Sequence, residues 1–405
     1  YVQGNYIGTD ITGTLAVPNA GGGVRMSGGV TGNFIGTDAD GINDAGERNI
    51  ISGNLLNGVL ITGVGSSSNT VAGNYIGIDV SGTQDLGNAL DGVRIDATAS
   101  SNTVGGTVTG AGNVISGNNS DGIEINNAHG NTIAGNLSGL NASGTAAIAN
   151  SVSAVFLTAG ASNNTIGGTV SSARNVLSGN TQRGVSMTAG ATQNTVIGNY
   201  IGLNSAGTAA VANANSGILI VSGSTNNRIG GPTAAERNVI SGNTLAGVAF
   251  QSAGTTGNVV QGNWIGVDAT GATAVPNLQG GIGFLDGSSA NQAIDNVVSG
   301  NALRGVVLFK FNTALGSNNN TIKGNMIGVG PDGSSVIPNT GYGIDIQDGS
   351  SGNIVGGTNA IDRNVISGNT LSGIRIAETG SSNNEVLGNY IGLDASGLLN
   401  RSNAS

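Results

Sequence analysis

Few side chains in this 405-residue chain can do chemistry, with 22 acidic residues, 13 basic residues, one histidine and no cysteine. The single His129 lies in "NNAHGN" (126–131), between turn-forming Asn and Gly, and reads as a solvated turn residue rather than a base. Asp10, Asp79, Asp268 and Asp394 each open a D-x-x-G turn, where a carboxylate caps backbone amides or recruits calcium. Asn141 and Asn204 take the same place elsewhere, so capping is the reading, with no metal and no cofactor expected. Arg94 and Glu124, and likewise Asp345 and Arg375, share one position of a G-V-x-I phrase in successive repeats. They read as ion pairs between neighbouring repeats, each worth under about 1 kcal/mol, and no catalytic residue is assigned. Tyr6, Tyr75, Tyr200, Trp264 and Tyr390 recur in an N-x-I phrase and form a candidate glycan-contact row. Apolar residues of the insert that follows, Val17, Leu86, Ile148, Val211, Val275 and Ile337, are placed to fold back and cover it.

The elements that hold these residues follow from repetition. G-N-x-I-G begins at Gly4, Gly73, Gly198, Gly262, Gly324 and Gly388, with a degenerate copy at Gly135, giving spacings of 62 to 69 residues. S-G-N alternates with it, its glycine at Gly53, Gly117, Gly179, Gly242, Gly300 and Gly368. Each period of roughly 63 residues holds two halves built on one template: N-T-V, then N-x-I, then G-V-x-I, with a variable insert. Strand side chains alternate faces, so Val93 and Ile95, and Asn74 and Ile76, point inward together. The pattern predicts an all-β solenoid of about 13 coils, three short strands per coil and two coils per repeat. Residues 1–405 are then a single domain.

Equivalent Asn residues must stack from coil to coil, because Asn suits bends and its amide both donates and accepts. One column is Asn69, Asn102, Asn131, Asn164, Asn194, Asn227, Asn258, Asn291, Asn320, Asn353 and Asn384. A second contains Asn74, Asn113, Asn136, Asn175, Asn199, Asn238 and Asn263 and extends to both ends. A third, mixed column is read as Asp10, Asn54, Asp79, Asn118, Asn141, Asn180, Asn204, Asn243, Asp268, Asn301, Asn369 and Asp394. Arg48, Arg174, Arg237 and Arg363 precede the bend Asn and are expected to tie the insert down through carbonyls, or through Glu47, Glu236 and Asp362.

Composition narrows the partners. A net charge of −9 supplies no basic surface for phosphates, which argues against nucleic acid. No apolar run approaches the roughly 18 residues of a membrane span, so no membrane insertion is expected. With 74 glycines and only 9% charged residues, helices are disfavoured.

Laid out in this way, the whole chain resembles the right-handed parallel β-helix repeats of the pectate-lyase-like superfamily. It is most similar to the Gly/Asn-rich arrays of bacterial secreted or cell-surface proteins. The resemblance implies the handedness, an extracellular or cell-surface location and a scaffold that carries lyases, hydrolases, epimerases, adhesins and passive stalks. The polysaccharide-enzyme motifs of that superfamily (a D-D pair, G-H-G, D-P-H) are absent. The leading expectation is therefore a non-enzymatic structural or adhesive rod, excised from a longer array or associating head to tail through rung stacking into filaments. The alternatives are a polysaccharide-active lyase, hydrolase or epimerase, and a non-catalytic glycan-binding module. The enzyme would show acidic and basic residues grouped across three coils on one face.

Overall fold

Short aliphatic pairs between glycine-rich bends favour very short strands, and the computed structural model, described over residues 1–311 and 315–404, consists almost wholly of them. The chain forms two compact units, Tyr1–Ser205 with Val211–Ala214, and Ala206–Ala210 with Asn215–Ser405. In the first, three parallel sheets share the wall of a coil. The N-x-I sheet has the register Tyr6, Ile50, Tyr75, Val114, Leu137, Val176, Tyr200. The G-V-x-I sheet aligns Arg25, Leu60, Arg94, Glu124, Phe156 and Ser186. The N-T-V sheet aligns Phe34 with Thr70, Thr103, Thr132, Thr165 and Thr195. The second unit repeats the arrangement, its G-V-x-I sheet aligning Leu219, Ala249, Gly283, Val307, Asp345 and Arg375.

Each coil is a parallel β-helix turn, and the core is what alternation demands. Val71, Ile76, Val93 and Ile95 are all 0% exposed. Fully burying one such side chain contributes about 1.5–3 kcal/mol, and the coils above and below seal it. The coil count is slightly below the expected thirteen: among the described residues thirteen strands belong to the N-x-I series, but twelve to each of the other two. The glycine closing N-x-I-G has a plain cause. Gly77 has φ +87°, and a Cβ there would stand 2.2 Å from the Ser116 carbonyl oxygen. Among the described residues no helix is long and apolar enough to cross a membrane.

Asparagine stacks run along both units. In the first, Asn49, Asn74, Asn113, Asn136 and Asn175 each donate from Nδ2 to Oδ1 of the next, ending on Asn199, at 2.9 to 3.0 Å. In the second, Asn238, Asn263, Asn296, Asn325 and Asn364 repeat this, ending on Asn389. The N-T-V stack begins one coil earlier than its motif suggests. Asn33 donates to Asn69 at 2.9 Å, although "GNFIG" (32–36) reads like an N-x-I phrase.

The third column requires correction. In the first unit it is Asn19, Asn54, Asn88, Asn118, Asn150, Asn180 and Asn213. In the second it is Asn243, Asn277, Asn301, Asn339, Asn369 and Asn403. Asp10, Asp79, Asn141, Asn204, Asp268 and Asp394 therefore do not hold the coil corner. They open the insert, and the chain regains the corner only at its far end, in phrases such as "VPN" (17–19) and "LGN" (86–88).

The displaced acids cap their own turns. Asp79 Oδ1 accepts the amides of Thr83 and Gln84, both at 3.0 Å, and Oδ2 accepts the Ser81 hydroxyl at 2.6 Å. Burial pushes its pKa up, but the Ser81 hydroxyl and the turn amides outweigh this and hold it below the ordinary value. Asn141 accepts the same pair of amides, from Thr145 and Ala146. Asp79→Ala is therefore expected to cost about 1–2 kcal/mol at neutral pH, with Asp79→Asn nearly silent. Because the folded pKa is lowered, the carboxylate's contribution is present above the unfolded pKa and disappears as pH falls through the folded one. Denaturation of the three proteins across acidic pH checks both statements.

Candidate active site

The outer face of the first unit's G-V-x-I sheet gathers charge from successive coils. Strands Val93–Asp96, Ile123–Asn126, Val155–Thr158 and Val185–Met187 lie side by side. Just before each of them stand Asp91, Asp121, Ser153 and Arg183, brought into line by the backbone bonds Gly92 N–H to Asp121 O, Gly122 N–H to Ser153 O and Ala154 N–H to Arg183 O. The side chains of this line are tied to one another's backbone. Asp91 N–H donates to Asn57 Oδ1 at 3.1 Å, Asp121 N–H to Asp91 Oδ1 at 3.1 Å, and Ser153 N–H to Asp121 Oδ1 at 2.8 Å.

Arg94 binds this acidic group from above the sheet. It pairs with Glu124 through Nη1, with Asp96 Oδ2 at 2.9 Å through Nε, and stands 3.6 Å from Asp91 Oδ2. Asn126 Nδ2 donates to Glu124 Oε1 at 2.9 Å. On the far side, Arg183 donates from Nη1 to Gln182 Oε1 at 3.1 Å, while its Nε is buried with no partner. Asp91, Asp121 and Glu124 are 2%, 5% and 7% exposed.

Burial of so many carboxyls has a titration consequence. Asp121 is pushed up to about 7, first by desolvation and then by the charges of Asp91 and Glu124, against the pull of the Ser153 amide. Glu124 also rises to about 7, again through desolvation first; Asn126 and Arg94 oppose this, and the adjoining Asp91 carboxyl adds to it. Arg183 is lowered by burial, with the Asp121 charge acting against that. Two carboxyls poised near neutrality between guanidinium groups can give and take protons.

The backbone-accepting role of Asp91 and Asp121 does not require a charge. Asn57 performs the same backbone-accepting role one coil before Asp91, without a charge to bury. A buried acid where an amide serves is a cost in stability, which makes these positions candidates for function. Asp91, Asp121 and Arg183 were not singled out from sequence. The available signal was the residue preceding G-V-x-I: it is Asp only in "DGVRI" (91–95) and "DGIEI" (121–125).

The other candidates fall elsewhere. Asp345 and Arg375, in the second unit, stand 3.5 Å apart, but the closer partner of Asp345 is Arg304 at 2.6 Å. Arginines lie over one ring face of the aromatic row. Arg48 lies over Tyr75 at 4.1 Å, Arg174 over Tyr200 at 4.1 Å, Arg237 over Trp264 at 4.2 Å and Arg363 over Tyr390 at 4.0 Å. Tyr6 has no such arginine and is 46% exposed. Of the insert residues, Val275 and Ile337 are buried, whereas Val17 is exposed. Arg48, Arg174 and Arg363 also donate from Nε to the carbonyls of Gly73, Gly198 and Gly388. The neighbouring acids pair with other cations, Glu236 with Arg228 and Asp362 with Lys323. His129 Nδ1 meets the Ser162 hydroxyl at 2.9 Å. Among the described residues the carboxylates close enough to share a cation are Asp38, Asp40 and Asp44. Oδ1 of Asp44 already accepts the Thr37 hydroxyl and the Gly41 amide.

No protein-family model and no curated protein sequence matches the chain. Solved structures are similar to it at low identity. A mutant of a periplasmic alginate epimerase is 12% identical with a TM-score of 0.48, covering 85% of this chain and 72% of that one. An alginate lyase from Paenibacillus is 14% identical with a TM-score of 0.41, over 82% and 99% of the two chains. The A-module of an Azotobacter vinelandii mannuronan C-5 epimerase is 14% identical with a TM-score of 0.37, over 91% and 97%.

Proposed function

We propose that the chain is a polysaccharide-active enzyme whose acid–base centre is Asp91, Asp121 and Glu124, with Arg94 and Arg183 as its cationic flank. The observation that carries this reading is a group of buried carboxyls on adjoining coils, with Asp121 standing where an amide suffices structurally and with Asp121 and Glu124 both near neutrality. The side chains are spread over successive coils along one sheet face, which suits an extended polymer rather than a compact metabolite. An acidic sugar is favoured, because the cluster is flanked by the guanidinium of Arg183, which Gln182 engages through Nη1 and which can receive a carboxylate. Glu124 and Asp121 then exchange protons with the sugar ring or the glycosidic oxygen, the chemistry shared by lyases, epimerases and hydrolases. A polymer substrate of this kind fits action outside the cytoplasm, at the cell surface or in a periplasm.

Incubation with a panel of acidic and neutral polysaccharides, read for new unsaturated ends, new reducing ends and altered sugar configuration, tests this directly. Activity is expected to show a pH limb near 7, set by Asp121 and Glu124. Glu124→Gln is expected to remove about 10²–10⁴-fold of the turnover without unfolding the protein. A wild-type protein inert toward every polymer returns the chain to the structural or adhesive reading.

A further inference from the structure

The second unit carries a different feature on the outer face of its G-V-x-I sheet. Ala246–Gln251, Gly280–Leu285 and Arg304–Phe309 are six residues each, against two to four for every other strand described. Their inward residues Val248, Ile282 and Val306 belong to the coil core. The outward side is apolar as well. Leu219, Ala249, Leu285 and Val307 form a cluster 3–8% exposed, bordered by Val221, Ala246 and Phe309. An outer sheet face normally alternates to polar residues, so this second apolar layer is not what the coil itself requires.

The layer is hollow. A groove of about 250 Å³ is lined by Gly283, Leu285, Leu303, Val307, Phe309 and Phe311, with Ala246 and Gln279 at its margin. Its floor is Gly283, where the nearest atoms to an added Cβ belong to the Leu285 side chain, at 3.2–3.4 Å. The wall is the tilted pair Phe309 and Phe311, 4.1 Å between centroids, and Phe311 is held by its amide on Asp286 Oδ1 at 2.7 Å. Asp286 itself is engaged by Gln251 at 2.7 Å. One charged side chain lines the groove, Arg304. Its Nε is fixed on Asp345 Oδ2 at 2.6 Å, which leaves its terminal amino groups for another acceptor. Asp345 is shared with Arg375, whose outer side meets Glu378 at 3.4 Å.

We propose that this groove binds a small carboxylate with an apolar aromatic or aliphatic body, the body resting on Gly283 between Leu285, Val307 and Phe309 and the carboxylate on Arg304. Charge complementarity selects the occupant: the groove is apolar apart from a single oriented guanidinium, and guanidinium groups match carboxylates in a bidentate fork. The site is independent of the acidic cluster of the first unit.

The test is equilibrium dialysis of the full chain with naphthoate and with its uncharged amide. Saturable binding of naphthoate, tighter than that of the amide, is expected. Gly283→Leu fills the floor and is expected to weaken naphthoate at least about tenfold, equivalent to 1.4 kcal/mol. Arg304→Gln is expected to remove the preference for the acid over the amide. Far-ultraviolet circular dichroism confirms folding, and should Gly283→Leu misfold, Phe309→Ala, which removes a wall, carries the same tenfold expectation. Wild-type protein that does not saturate, equal binding of acid and amide, or unchanged affinity in a folded Gly283→Leu or Phe309→Ala variant overturns the proposal.

Discussion

Asp121→Asn is expected to lower turnover by orders of magnitude and, at alkaline pH, to make the protein more stable. The two effects have one origin. Asp121 Oδ1 accepts the Ser153 amide, a role the asparagine oxygen fills as Asn57 does for Asp91, so the backbone line survives the change. What disappears is a carboxyl whose pKa is pushed from 3.8 up to about 7, chiefly by burial. A raised carboxyl pKa means that the folded state holds its proton more tightly than the unfolded state. Stability is then greatest below the unfolded pKa, falls as pH rises between the two values and is level above the folded one. Roughly three pKa units correspond to about 4 kcal/mol, and partial relaxation brings the expected gain of the variant to about 2–4 kcal/mol at alkaline pH. Near the unfolded pKa the two proteins should melt together. Turnover should fall by about 10²–10⁴-fold at every pH. Thermal melts at acidic and alkaline pH, run beside the polysaccharide assay, check both halves. A variant that melts with the wild type throughout means that the carboxyl is not strained, and retained turnover removes Asp121 from the chemistry.

The fold was legible because solenoid coils repeat one physical problem. Ile76, Val93 and Ile95 announce their inward direction by alternation, and the Asn columns announce theirs by recurrence. Where the reading slipped, an insert had moved the corner. Asp79 stands five residues after Asn74, as Asn118 does after Asn113, yet the corner partner of Asn118 is Asn88, beyond the loop. Counting from the start of a motif cannot show where an inserted loop rejoins the coil; the asparagine of the "PN", "GN" or "AN" at the loop's end does. The acidic centre was half visible. Arg94 and Glu124 were matched by register, but register gives no measure of desolvation, so their pairing read as a surface contact. Asp91 and Asp121 lie outside the strand proper, and only the backbone bonds of the bend bring them beneath Glu124. Arg304 was hidden in the same way, since its contact with Asp345 crosses from one column of the sheet to another.

Breaking an asparagine stack in mid-unit should be the costliest single change to stability in the chain. Asn136 is fully buried, and its amide works in both directions. Oδ1 accepts from Asn113 N–H at 3.1 Å and Asn113 Nδ2 at 2.9 Å, while Nδ2 donates to Val104 O, Ala134 O and Asn175 Oδ1 at 2.9 to 3.1 Å. In Asn136→Ala the Asn113 amide hydrogen and the Val104 carbonyl lose these partners. Each orphaned buried group costs about 1–3 kcal/mol, so about 3–5 kcal/mol is expected for the substitution. Asn136→Asp should be at least as harmful, because a carboxylate would face three oxygens that need a donor. The same logic explains why the stack uses Asn, whereas the bend at 91 and 121 asks only for an acceptor, a role that an amide oxygen or a carboxylate fills. Thr132→Ala, on the outward face of the neighbouring strand, should stay within about 0.5 kcal/mol. Because coils couple mainly to their neighbours, the Asn136 variants should unfold in two transitions, the weaker one spreading from the damaged coil. Urea unfolding followed by hydrogen exchange resolves this: loss of protection beginning at strands Thr132–Ala134 and Leu137–Ser138 is the expected pattern, and uniform loss along the unit contradicts it.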